Sequence, residues 1–259
     1  MSTNQDFTPT SSRSINKIKR MPERANYDKP TIYSILDEGL IAHVGFSLPY
    51  SIEDPPQEPE DWPLVMPMAY SRIDDTVYLH GYVSGRMIKA LGPRDPNAPK
   101  PKVTITVTHL DGIVYAINPF HNSFNYRSAC VFGYGRLVTD PEEKTLVLKA
   151  ITNQASGCFL PKHLNLDAGE TADRWSDSKQ PGKIDMQSTG VIAVQIESGS
   201  AKIRSGGPKD DAKDVVSEEL TQQIWSGVLP IRSVYGPAES AEYTKAPVPE
   251  FIETLTKHK

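Results

Sequence analysis

The chain has 259 residues and a mass of 28.7 kDa, enough for one large domain or two small ones. Its 28 Lys and Arg against 32 Asp and Glu leave a net charge of −4, without the basic footprint of a general nucleic-acid binder. Fractions of 38% hydrophobic and 23% charged residues allow a buried core and exclude a chain disordered throughout. No apolar run reaches the ~20 residues that span a bilayer. Met1 to Arg20 lacks an apolar signal core, so the expected location is cytoplasmic, away from membranes. The two cysteines, Cys130 and Cys158, make neither a disulfide framework nor a metal knuckle and read as reduced thiols. The 22 prolines exceed the ~5% average and favour strand ends and turns over a helical bundle.

Residues 1–15 are rich in Ser, Thr and Asn and read as a disordered tail. The basic residues Lys17, Lys19, Arg20 and Arg24 follow as a solvated segment. Asp28 as N-cap, Pro30 in the first turn and Gly39 past the end predict a helix over about 29–38. Leu40 to Phe46 alternates as a strand. Ser51 to Trp62, with three prolines and five acids, reads as an exposed loop. Leu64 to Ser71 is the next strand, with Pro67 marking an edge or bulge. Thr76 to Gly81 is another, and Ser84 to Leu91 a short helix ended by Gly92-Pro93.

Val103 to Thr108 alternates apolar with Thr as the clearest strand, and Asp111-Gly112 signals a turn. Ser128 to Val138 is a strand whose Gly133 and Gly135 imply close backbone approach. Pro141-Glu142-Glu143 opens an amphipathic helix, about 141–156, with acids at its positive end. Residues 161–187 read as polar and irregular. Thr189 to Glu197 and Ser200 to Arg204 read as two strands around a Ser198-Gly199 turn, with a short helical stretch near Ser217 to Trp225. The pattern predicts one antiparallel β barrel of six or seven strands with helices at its ends.

Three segments carry chemistry. In Val77 to Leu91 a strand enters a small-residue turn and then a helix, with Ser84 at the expected N-cap and Arg86 and Lys89 close behind. Free N–H groups, a hydroxyl and a guanidinium suit a phosphate monoester; a plain Ser-capped helix has the same spacing. Asn118 to Ser128 packs rings, amides, an imidazole and hydroxyls into one stretch, suited to a planar heteroaromatic ligand or to an ordinary polar loop. Lys202 and Arg204 project from one strand face, towards solvent or into a site, and Trp225-Ser-Gly-Val-Leu-Pro230 follows. No dinucleotide, Walker A, His-Glu-x-x-His or nucleophile-elbow motif occurs. The six histidines lack close ligand spacing, so no metal site is expected.

These segments together resemble the pyridoxamine 5′-phosphate oxidase-like FMN-binding split-barrel superfamily, and within it the flavin-nucleotide-binding branch with nitroimidazole-resistance-type proteins. The resemblance spans about residues 16–235. It rests on Tyr78-Leu-His-Gly81 with Ser84-Gly-Arg86, Asp111-Gly112, His121 to Ser128, Ser200 to Arg204, and Trp225 to Pro230. It implies a mainly β fold, a six-stranded antiparallel split barrel with short helices at its ends, and 236–259 as a C-terminal extension. It implies a homodimer with FMN sites at the interface and a small-molecule substrate. Ser84, Gly85 and Arg86 would hold the FMN phosphate, with Lys89 assisting because Met87 replaces the family's lysine. Met66, Pro67, Met68, Ala69 and His80 would flank the ribityl chain and ring, with Ser128 beside the flavin. Lys202, Arg204 and Trp225 would complete the pocket, and Tyr126 and His80 are the catalytic proton-donor candidates. The Arg/His-rich C-terminal signature of true pyridoxamine phosphate oxidases is missing, so that activity is not expected. The expected function is an FMN-dependent oxidoreductase moving hydride or electrons through the flavin. The alternatives are a non-catalytic flavin carrier or a haem-handling protein using His80 or His121.

Overall fold

The computed structural model describes residues 6–48, 62–93, 95, 98–164, 166 and 172–257. Most of the acidic loop expected at 51–62, and residues 1–5 of the tail, lie outside them. The elements run in order: β1 (Ala25–Asn26), α1 (Lys29–Glu38), β2 (Ala42–Phe46), β3 (Leu64–Met68), β4 (Tyr70–Ile73) and β5 (Thr76–Tyr82). Then come α2 (Arg86–Leu91), β6 (Lys102–Tyr115), β7 (Ser123–Leu137), α3 (Pro141–Ala155), α4 (Leu160–His163), α5 (Lys183–Ser188) and β8 (Thr189–Arg204). The chain closes with α6 (Ala212–Val215), α7 (Glu218–Gln223), β9 (Gly227–Pro230) and α8 (Glu250–Lys257). The mainly β, antiparallel class holds, with nine strands among the described residues in place of six.

Two corrections concern turns. Asp111-Gly112 does not turn the chain, because β6 runs through it and Gly112 pairs with Pro230 of β9. A Cβ at Gly112 would stand 3.1 Å from the Leu229 carbonyl oxygen, so this glycine admits a neighbouring strand. Ser198-Gly199 likewise lies inside the unbroken strand β8. In both cases cross-strand pairing overrides a local turn signal. The expected single strand 64–71 breaks at Ala69 into β3 and β4. α8 and β9 appear where only one short helix was expected, and α4 and α5 lie in the stretch read as irregular.

The chain forms two compact units, and β6, β7 and β8 each contribute to both. The first comprises Met1–Ile35, Thr108–Ala129 and Ser200–Ser233. There β1 pairs antiparallel with β8, Ala25 opposite Lys202, and β9 with β6. Within the segment read as a tail, the Phe7 N–H donates to the Tyr27 carbonyl at 2.8 Å. The Phe7 ring meets Tyr33 edge-on with Lys29 over its face.

The second unit comprises Leu36–Val107, Cys130–Gly199 and Val234–Lys259. β3 pairs with β2, β2 with β6, β4 with β5 and β5 with β8, all antiparallel. β3 lies at one end of the strand order, which is why Pro67 is tolerated. Val44, Val77, Leu79, Ile105 and Ile192 are fully buried here. A second cluster packs Val147, Leu148 and Ile151 of α3 onto Tyr78, Val191 and Ala193. Asp140 caps α3, accepting from the Glu143 N–H at 2.7 Å. At Gly133 of β7 a Cβ would lie 2.0 Å from the Gln195 carbonyl oxygen of β8. Gly133→Ala should therefore lose about 1–3 kcal/mol of stability through forced backbone displacement, measured by urea unfolding. Loss below about 0.5 kcal/mol would show that the strands slide apart freely.

Candidate functional site

The second unit holds a cavity of about 380 Å³ lined by His80 of β5, Leu148, Ile151 and Thr152 of α3, and Trp175 and Met186 beyond it. His80 is placed by the ladder, opposite Val191. Its Nδ1 is buried and has no hydrogen-bond partner among the described residues. Burial lowers the His80 pKa, so at neutral pH the ring is an uncharged imidazole with a free nitrogen. That suits a base or a metal ligand better than an acid. The wall is fixed by polar contacts. Lys144 Nζ donates to the Met186 carbonyl at 2.6 Å. Asn153 Nδ2 donates to Asp173 Oδ1 at 3.0 Å, and the Trp175 N–H donates to Asn153 Oδ1 at 3.0 Å. The volume falls in the ~300–1,000 Å³ range of cofactor and ligand pockets.

The turn before α2 lies in the same unit. Its N-cap is Gly85 and not Ser84, a shift of one residue. The Gly85 N–H closes the turn onto the Tyr82 carbonyl at 2.7 Å, and a Cβ there would stand 2.9 Å from that oxygen. Ser84, Arg86 and Lys89 are exposed, and among the described residues neither cation pairs with an acid. Met87 is buried, so a lysine at that position would have to bury its charge. Lys89 instead lines, with Ser84, a second cavity of about 360 Å³. A hydroxyl, two unpaired cations and a glycine cradle fit an anionic phosphate.

The remaining predicted residues are divided. Met66 and Pro67 are exposed on β3, with Met68 beside them, and Ala69 packs on the α3 cluster. Tyr126, Ser128, Lys202, Arg204 and Trp225 belong to the first unit, not the second. There Ser128 Oγ donates to the Lys202 carbonyl at 3.5 Å, and the Trp225 ring lies 5.6 Å from that of Tyr115. His121, also in the first unit, has a buried Nδ1 without a hydrogen-bond partner among the described residues. The structure therefore brings together His80 with α3, and Ser84 with Lys89, within one unit. Sequence reasoning missed Trp175, Asp185 and Met186 of the cavity wall; a tryptophan in the polar stretch 161–187 was the available signal.

The sequence matches the family described as pyridoxamine 5′-phosphate oxidase over residues 28–203. The chain belongs to that family. Among solved structures, the flavocytochrome Anf3 from Azotobacter vinelandii is similar at 27% identity and TM-score 0.70, over 92% of this chain and 94% of that one. The FAD and heme binding protein from Mycobacterium smegmatis is similar at 22% identity and TM-score 0.68, over 90% and 97%. No curated protein sequence matches. The split-barrel resemblance read from the sequence thus holds for family and fold.

A pH dependence follows from His80. Its folded pKa lies below the ordinary 6.5, so the unfolded chain binds this proton more readily. The stability linked to it is full above about pH 6.5 and falls as pH drops through that value. The difference in Tm between about pH 8 and pH 5.5 should be smaller in His80→Gln than in the parent. An identical difference would mean the ring titrates as if exposed.

Proposed function

We propose that this chain is a flavoprotein of its family that also holds a haem, and that it acts as an oxidoreductase on a small organic molecule. The observation that carries this reading is the near full-length likeness, at 27% identity, to a flavocytochrome. Two features of the chain's own residues support it. The Ser84–Lys89 turn offers a phosphate two cations with no competing carboxylate among the described residues. The largely apolar cavity offers a neutral imidazole whose buried Nδ1 lacks a partner.

FMN is the flavin the resemblance implies. Ser84, Gly85, Arg86 and Lys89 would hold its phosphate, and His80 would hold the haem. When bound, the flavin supplies hydride or electron transfer and the haem one-electron chemistry. The protein's part is to bind, orient and exclude water. Leu148, Ile151 and Trp175 supply apolar walls, and Lys144 holds Met186 in place. Homodimerisation belongs to the same proposal. Phe120, Phe124, Trp225 and Leu229 of the first unit are more than half exposed, apolar surface of the kind that marks an interface.

The purified protein should show both flavin and haem absorption. Flavin released by denaturation should be the mononucleotide by mass, and a dinucleotide would correct that detail. Arg86→Ala should weaken flavin binding about ten- to a hundred-fold, with a smaller loss in Lys89→Ala. His80→Ala should lose the haem band and keep the flavin. A parent protein without flavin would end the proposal. Sedimentation at micromolar concentration should give a dimer, and a flavin-loaded monomer would remove the homodimer from it.

A further inference from the structure

One wall of the His80 cavity is a strap of chain, residues 173–186, fastened to α3 at both ends. Leu148, Ile151 and Thr152 of α3 line the cavity. Lys149 and Asn153, four residues apart, share the neighbouring stripe of the helix. Lys149 Nζ lies 2.5 Å from Asp173 Oδ2. Asn153 meets the strap with both ends of its amide. Nδ2 donates to Asp173 Oδ1 at 3.0 Å, and Oδ1 accepts from the Trp175 backbone N–H at 3.0 Å. At the other end Lys144, earlier on the same helix, donates to the Met186 carbonyl at 2.6 Å.

Asp173 is the centre of the first fastening. Its oxygens also accept from the Ser176 N–H at 3.3 Å and the Ser176 hydroxyl at 2.7 Å. These donors, Lys149 above all, hold its carboxyl well below the usual carboxylate range. The stretch also closes on itself. The Asp177 N–H donates to the Asp173 carbonyl at 3.0 Å, and Gln180 Nε2 to the Trp175 carbonyl at 2.8 Å. Little apolar burial holds the strap between its ends. Trp175 and Met186 pack against the cluster beneath α3, whereas Asp177, Lys179, Gln180, Lys183 and Ile184 are exposed. The cavity-lining residues that are exposed are Ala155 and Ser156 at the end of α3 and Asp185 in the strap, so the mouth lies between helix end and strap. Asn153 and Asp173 stand beside that mouth. A segment held by a few directional bonds and two apolar side chains opens before the core does.

We infer that Asn153 and Asp173 are positioning residues that hold Trp175 in the cavity wall, and that the occupant of the cavity enters and leaves only as this fastening releases. The inference rests on the reading that the cavity holds a group, and adds the step that sets its exchange rate. Every residue involved lies in the second unit.

The test uses the full chain as purified. Where the parent carries haem, exit is its transfer to excess apomyoglobin and entry is the rebinding of added haemin. Where it does not, both are read by stopped flow with phenylnaphthylamine, an uncharged apolar dye that brightens on leaving water. Asn153→Ala and Asp173→Ala should each speed entry and exit about fivefold or more, the loss of one or two hydrogen bonds. The two rates should rise together, because the fastening holds Trp175 whether the cavity is filled or empty, so affinity changes far less than either rate. Lys149→Arg keeps a donor for Asp173 and should keep the parent's rates. Asp173 lies on the strap and outside the core, so its variant decides the matter if Asn153→Ala fails to fold. Parent rates in both alanine variants would overturn the inference. So would a loss of affinity with entry unchanged, which is what a merely structural role would give. A parent without haem whose dye rates respond as stated would end the haem reading and leave the fastening standing. A parent that takes up neither haemin nor dye would overturn both.

Discussion

The backbone of β7 touches that of β8 at Gly133, and no side chain larger than hydrogen fits between them. β8 in turn pairs with β5, with His80 opposite Val191. A one-residue slip would turn every side chain of the strand to the opposite face. Val191 and Ala193 would then leave the cluster beneath α3. The cavity is thus a consequence of strand pairing, with α3 laid over it as a lid of Leu148 and Ile151.

Polarity in the second unit is arranged by depth. The cavity interior is largely apolar, and His80 sits in it as a neutral ring because charging it would cost hydration. The hydrogen bonds of Lys144, Asn153 and Asp173 stand at its margin and are satisfied. They lock α3 to the segment bearing Trp175 and Met186, so the wall is held by directional bonds and the interior by packing. The turn before α2 is the opposite case. Its cations are exposed and screened by solvent, and they gain strength when a ligand displaces that solvent. The same reasoning separates Arg86 and Lys89 from Arg204, whose charge is already stripped of water and already held by carbonyls.

A net charge of −4 conceals this distribution. Acids and bases nearly cancel over the chain, yet β1 brings the basic segment onto the end of β8, where Lys202 Nζ donates to the Arg20 carbonyl. Residues about 180 positions apart in sequence meet there through the short pairing of β1, so a local charge scan sees two unremarkable basic patches.

What the sequence alone determined is whatever depends on neighbours along the chain. Helix α1 followed from Asp28 and Pro30, and α3 from Asp140, Pro141 and the acids of its first turn. The alternation of β5, β6 and β7 and the edge role of Pro67 were legible for the same reason, as was the family, whose ordered motifs survive in the primary structure. The tertiary structure decided what depends on partners far away. Asp111-Gly112 and Ser198-Gly199 carry strong turn signals, yet both lie within strands because β9 and the sheet supply hydrogen bonds that a turn would forgo. α8 has few residues and no cap signal; burial of Phe251 and Leu255 against Cys158 and Leu160 holds it. The neutral state of His80 belongs to this second group. Burial and hydrogen-bond occupancy are sums over residues that meet only once the chain has folded.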